Sequence, residues 1–338
     1  MRKVLVAVIL SILSGACSAV QQSYSCPVVE HKPVDSSYFR LLWSRPGITV
    51  YPDQFTPLMQ GIASKLFVVT GKDIEYGGSK ILALDVQSGN VLWQRDVVLP
   101  TSIITSDSQL YVGLYDKIDV VDPHTGNSVK EIDVSKVGFI YNFYATERNL
   151  YASTKSGRWL NFNIDDGTYN LSEPFLPYVP FLIENKILYF SEAGTYKAKD
   201  TETQSIHWEY PLNETVHVHP LITDTMIIIL GQSGSIYGLD KIIGNLLWKV
   251  DADAISNVAV DGTQIYFLTT DGYLKVLDMN NGQEIAKLEF APASFEPNSS
   301  PSGNIIGAYN LWVDSQRDVV VVSFGDSCQL IALKVAPE

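Results

Sequence analysis

The residues best placed by type and spacing to do chemistry are His217 and His219, in the run Val216-His217-Val218-His219-Pro220. In an extended strand, positions two apart share a face, so the two imidazoles could chelate a metal if a third ligand joined them. No third ligand is placed by the sequence. Three cysteines and five histidines in 338 residues leave little for a Cys/His zinc cage. No Gly-rich phosphate loop, Ser/His/Asp nucleophile motif or H-E-x-x-H is present, so no catalytic residue is assigned. A convergent carboxylate pair of the hydrolase kind would be invisible without coordinates.

Composition narrows the class. The chain is 46% hydrophobic and 18% charged, with 24 basic against 37 acidic residues and a formal charge of −13. That supports a substantial core and offers no basic stripe for nucleic acid or anionic lipid. Arg2 and Lys3 precede an apolar stretch, Val4 to Leu13, and then small residues up to Ala19. This is the layout of a secretory signal over 1–19, too short to span a bilayer. The run Leu13-Ser14-Gly15-Ala16-Cys17 resembles a bacterial lipobox, which implies lipidation of Cys17 and an outer-membrane destination. Plain cleavage after Ala16 or Ala19 is the alternative. In an oxidising compartment the remaining cysteines, Cys26 and Cys328, either form a disulfide tying the chain ends together or stay free.

One unit recurs about every 40 residues, as in Lys80 to Gln94, Lys117 to Glu131, Ser235 to Lys249 and Gly272 to Lys287. Its strand-end residues are Asp85, Asp122, Asn163, Asp200, Asp240 and Asp278, spaced by 37, 41, 37, 40 and 38. Four residues later stand Gly89, Gly126, Gly167, Gly244 and Gly282, with Gln204 the exception. Asp or Asn can hydrogen-bond the turn backbone, and Gly supplies positive φ where the hairpin reverses. Upstream of each lies a β-rich run, the seven beginning at Leu66, Leu110, Leu150, Ile187, Ile227, Ile265 and Val319. With no amphipathic helical segment between them, the pattern predicts an all-β, seven-bladed β-propeller over 38–338, behind a linker at 20–37. Six or eight blades are the alternatives. The last unit, Gln329 to Ala336, lacks a fourth strand, and Phe39 to Pro46 reads like one. Pairing of this N-terminal strand with the C-terminal blade would close the ring.

The segment Ala83-Leu84-Asp85 through Gly89 to Trp93 resembles the PQQ-like propeller repeat, A-x-D-x-x-T-G-x-x-x-W. Gly238-Leu239-Asp240 through Gly244 to Trp248 is a second match. Lys130, Leu171 and Ala286 stand where three other copies would carry Trp. The resemblance implies a blade-docking structural role for Trp43, Trp93, Trp208 and Trp248. Quinone-dependent enzymes of this family carry adjacent cysteines and a calcium-binding set with a catalytic aspartate, and neither is recognisable in this chain. The signal, acidic balance and repeat type are similar to those of the propeller lipoproteins of the outer-membrane β-barrel assembly machinery. That family has eight blades where seven are apparent here.

Aligning the innermost strands places Ser102, Asn142, His219 and Asn257 at equivalent positions near the mouth of the central channel. Two insertions, around 71–79 and 289–309, offer Tyr76, Phe290, Phe295, Tyr309 and Trp312 as aromatic anchors for a partner. The expectation is a non-enzymatic, cofactor-free scaffold that binds envelope proteins and faces the periplasm or the cell surface, lipid-anchored at Cys17. The alternatives are a quinone-dependent or sugar-acting propeller enzyme, and a small-ligand or metal sensor at the channel mouth.

Overall fold

The computed structural model describes residues 32–33, 36–48, 50, 58–71, 78–106, 108–137, 140–145, 148–154, 157–172, 180–216, 218–291, 309–324 and 328–336. Among them every regular element is a β-strand. The strands form seven antiparallel sheets, each a blade. In chain order the blades span 59–97, 102–133, 140–171, 181–211, 221–251, 259–291 and 309–335, numbered 1 to 7 here. The first strands of blades 1, 2 and 3 lie against one another in succession, as do those of blades 6 and 7, and the ring closes where Tyr309–Asp314 meets Met59–Ile62.

The fourth strand of blade 7 is Phe39–Pro46. It pairs antiparallel with Gln329–Val335, from Phe39 opposite Val335 to Pro46 opposite Gln329. The expected closure is therefore present, and it leaves no open edge between the chain ends. The segment expected as a linker holds one further element. Lys32–Pro33 pairs with the outer strand of blade 6 and makes that blade five-stranded.

The burial pattern explains the sequence pattern. Second strands such as Val319–Phe324 and Met226–Leu230 are buried at every position. A strand packed on both faces by neighbouring blades has no solvent side, so its apolar run does not alternate. Fourth strands such as Leu246–Asp251 bury only the third residue, Trp248, fully. They form the rim, where one face and one edge meet water.

The turns before the fourth strands share one construction. The N–H of Gly89, Gly126, Gly167, Gln204, Gly244 and Gly282 donates to the carbonyl of the Asp or Asn four residues earlier, at 2.8–3.1 Å. The Asp or Asn side chain accepts from the turn backbone as well, for example Asp200 Oδ1 from the N–H of Glu202 and Thr203. These backbone donors hold the carboxyls of Asp122 and Asp200 below the usual carboxylate range.

Candidate interaction surfaces

At four blade junctions a fourth-strand tryptophan covers the turn of the next blade. Its indole N–H donates to the carbonyl of the residue after the turn Asp. Trp43 reaches Val86 at 2.8 Å, Trp93 Pro123 at 3.1 Å, Trp208 Lys241 at 3.1 Å and Trp248 Met279 at 2.7 Å. The ring lies flat on the turn glycine. A Cβ on Gly89, Gly126 or Gly244 would come within 2.4–2.7 Å of indole carbon, and one on Gly282 within 3.0 Å. Each turn glycine thus meets two demands, a φ of +68 to +75° and the absence of a side chain under the ring. Three junctions depart from this. Between blades 2 and 3, Lys130 Nζ approaches Gly167 where an indole would lie. Between blades 3 and 4 both the tryptophan and the glycine are missing. On blade 6, Ala286 stands opposite Val276 at the tryptophan position.

Of the channel-mouth set, the side chains of Ser102, His219 and Asn257 are described. Asn257 Nδ2 donates to Leu311 O and its Oδ1 accepts from Leu311 N, both at 2.8 Å, stitching blade 6 to the first strand of blade 7. His219 Nδ1 lies 3.1 Å from Phe181 O on the first strand of blade 4. Its Nε2 is enclosed without a hydrogen-bond partner among the described residues. Burial pushes the imidazole pKa down to about 4, so the ring is neutral near pH 7. With Nδ1–H donating to the carbonyl, Nε2 carries the lone pair. Ser102 is fully buried. The side chain of Asn142 and the whole of His217 lie outside the described residues. Among the described residues no group of three His, Cys, Asp or Glu could hold a metal. Sequence alignment overlooked Asn310, which stands four residues before the end of its first strand, as Ser102 and Asn257 do.

Three of the expected partner-loop aromatics need correction. Phe290 is fully buried, with its ring edge-on to Phe324 at 5.0 Å, and Tyr309 packs edge-on to the same ring at 6.3 Å. Trp312 lies over Gly61 at the seam between blades 7 and 1, close enough to exclude a Cβ there. All three flank a Pro- and Ser-rich insertion, but they sit on strands whose inward faces build the core. Tyr76 and Phe295 lie outside the described residues, as do Cys17 and Cys26. Cys328, at the turn into the last strand, is disulfide-bonded.

The exposed apolar surface lies elsewhere. Ile242 is 79% and Ile243 58% exposed, and Leu246 and Leu247 follow on the same hairpin at the rim of blade 5. Asp240 Oδ1 accepts from the N–H of both isoleucines, which fixes the turn and leaves their side chains pointing away from it. The signal was available in the sequence, because the equivalent turns read Gln87-Ser88, His124-Thr125, Asp165-Asp166, Glu202-Thr203 and Asn280-Asn281. Two β-branched apolar residues in a turn that is otherwise polar stand out once the repeats are aligned.

Comparison with known proteins points the same way as the repeat. The PQQ_2 family model, described as outer membrane protein assembly factor BamB, matches residues 168–300. BamB of Yersinia pestis is 20% identical, over 83% of this chain and 79% of its own. BamB of Vibrio cholerae is 23% identical, over 77% and 72%. Among solved structures, BamB from Moraxella catarrhalis superposes with a TM-score of 0.52 at 15% identity, covering 83% of each chain. The computationally designed Ika8 protein gives 0.59 at 14% identity, covering 86% of this chain and 99% of its own. The chain is a seven-bladed propeller that is similar to the PQQ_2 family model over residues 168–300 and to the outer membrane assembly factor BamB along most of its length.

Proposed function

We propose that this protein is a non-enzymatic envelope scaffold that binds protein partners during outer-membrane assembly, exported and lipid-anchored at Cys17. The observation that carries the reading is the exposed apolar hairpin Ile242-Ile243…Leu246-Leu247. Exposed apolar side chains clustered on one hairpin are the kind of surface a partner covers. The assembly-factor name of its relatives supports the same class of partner. The four tryptophans are assigned to holding blades together, because each indole N–H is already committed to a neighbouring turn.

The test is a gentle crosslinking pull-down of the tagged protein from its own host. Wild type is compared with Cys17→Ala and with an Ile242→Asp/Ile243→Asp double variant. One reproducible envelope complex, weakened in both variants, is the expected result. A partnerless protein in all three forms would overturn the reading.

A further inference from the structure

At the four tryptophan junctions the indole stands opposite a small residue of its own blade's third strand. Trp93 faces Ala83, Trp208 Ala198, Trp248 Gly238 and Trp43 Ala332, each beside a register shift in the fourth strand. That bulge sets which residue turns toward the next blade. Blade 3 lacks it. Phe162 pairs with Tyr169, Asn161 with Asn170 and Leu160 with Leu171 in unbroken register. A one-residue slip exchanges the faces of a strand. Leu171 therefore shares the face of Leu160, which packs into the core with Ile140 and Tyr111, on the blade 2 side. Asn170 takes the place opposite Asn161. On blade 4, Gln204 replaces the turn glycine at φ +64°, and its Nε2 donates to Thr201 O at 2.7 Å. Thr201 is the residue after the turn Asp, so this is the carbonyl that receives an indole N–H at the other four junctions.

The space left over is a cleft of about 690 Å³ between blades 3 and 4. Tyr151 and Trp159, with ring centroids 5.9 Å apart, form one wall, and Ile183, Lys186 and Thr201 form the other. Asn161 also lines it, and its Oδ1 is buried with no hydrogen-bond partner among the described residues.

We propose that this cleft receives an aromatic side chain, an indole by shape, from a partner polypeptide, which supplies in trans the tryptophan that blade 3 lacks. The choice of occupant follows from the four junctions where an indole fills the corresponding space against the same kind of turn. Here the carbonyl is already satisfied by Gln204, and the amide of Asn161, which lines the cleft with its enclosed Oδ1 unpaired among the described residues, becomes an acceptor when its side chain turns toward an entering donor. The indole N–H, or a backbone N–H beside it, fits that need. The volume exceeds one ring, leaving room for flanking residues of the inserted segment. The proposal rests on the reading of the protein as a protein-binding scaffold.

The probe is a blocked five-residue peptide with a central 5-fluorotryptophan, followed by fluorine NMR against the isolated, full-length protein. The expected result is line broadening reversed by the unlabelled tryptophan peptide and not by its leucine counterpart. Asn170→Trp with Gln204→Gly fills the cleft in cis and should weaken binding by about tenfold or more, while Asn161→Ala weakens it by about threefold to tenfold. Asn161→Ala alters no backbone and keeps the test informative if the double variant misfolds. Equal competition by the leucine peptide, or unchanged binding to both variants, would overturn the proposal. A crosslinked envelope complex that survives both variants, with no indole binding, would remove this proposal and leave the scaffold reading standing.

Discussion

The junction of blades 1 and 2 and that of blades 3 and 4 use the same backbone plan and differ in how they are held. At the first, Trp93 lies on Gly126 and donates to Pro123 O. Arg95 pairs with the buried Asp119 and donates to Gly126 O at 3.3 Å. At the second, Asn170 is exposed, no glycine underlies the turn, and Gln204 closes its own hairpin. The difference teaches that the docking device has three interdependent parts: a bulge aims the indole, the indole needs a surface without Cβ, and the turn glycine provides it. The junction of blades 2 and 3 keeps the bulge, on the fourth strand of blade 2, and Gly167 on blade 3, and there Lys130 still reaches the glycine in the indole's stead. At blades 3 and 4 all three parts are absent. A single tryptophan restored there would clash with Gln204, and a lone glycine would leave a hole.

The most severe way to break the comparison is to remove an indole from an intact junction. Trp248→Ala should destabilise the protein by about 3–5 kcal/mol, as truncation of a large buried ring does. Leu171→Ala, at the junction already without an indole, should cost well under about 1 kcal/mol. Urea denaturation of the two variants checks both values, and similar losses would deny that the junctions differ. Next in size is Gly126→Ala. The new Cβ would sit 2.7 Å from Trp93 at a φ of +75°, combining backbone strain with overpacking. The expected loss is about 2–3 kcal/mol. Gln204→Ala keeps a side chain where one is already accommodated and should lose only the exposed hydrogen bond, about 0.5–1.5 kcal/mol.

A pH titration probes the inner end of the junction of blades 4 and 5, where His219 bonds Phe181 O. Its folded pKa, about 4, lies below the ordinary value of 6.5. Between those values the unfolded chain binds the proton and the folded chain does not, so acidification favours unfolding. Stability attributable to His219 is whole above about pH 6.5 and falls as pH drops toward 4, by at most about 1.4 kcal/mol per pH unit. The turn carboxylates with depressed pKa lose their contribution only lower, below the ordinary value of 3.8. Denaturation midpoints from pH 7 to 5 should therefore decline in wild type and flatten in His219→Gln, which retains a donor for the Phe181 carbonyl.

Much of this architecture was legible in the sequence because the repeat encodes it redundantly. Asp85 and its five counterparts marked every turn, the run at Val319 marked the last second strand, and Phe39–Pro46 supplied the missing rim strand. What stayed hidden depends on register and facing. Counting from Asn163 puts Leu171 at the tryptophan position, yet the absent bulge turns Leu171 to the opposite face. That outcome is decided by hydrogen-bond geometry in one hairpin. Phe290 and Tyr309 looked like loop aromatics beside a Pro-rich insertion, and the packing of blade 6 on blade 7 claims both. The cleft could not be read at all, since Tyr151, Asn161 and Thr201 meet only across two blades.

The smallest expected effect gives the sharpest test of interdependence. Gln204→Gly alone releases a side chain from φ +64°, a gain of about 1 kcal/mol, but forfeits the hydrogen bond to Thr201 O, a loss of similar size. The net change should be near zero. Asn170→Trp alone brings an indole to a turn whose Gln204 Cβ occupies the ground the ring needs, so it should gain little or destabilise. Together the two changes remove the obstruction and free the Thr201 carbonyl for an indole N–H, so the double variant should exceed the sum of the singles. A coupling of about 1 kcal/mol in a double-mutant cycle is the expectation. Strict additivity would mean that an indole at residue 170, although opposite Asn161 and on the cleft side of its strand, does not reach the turn of blade 4.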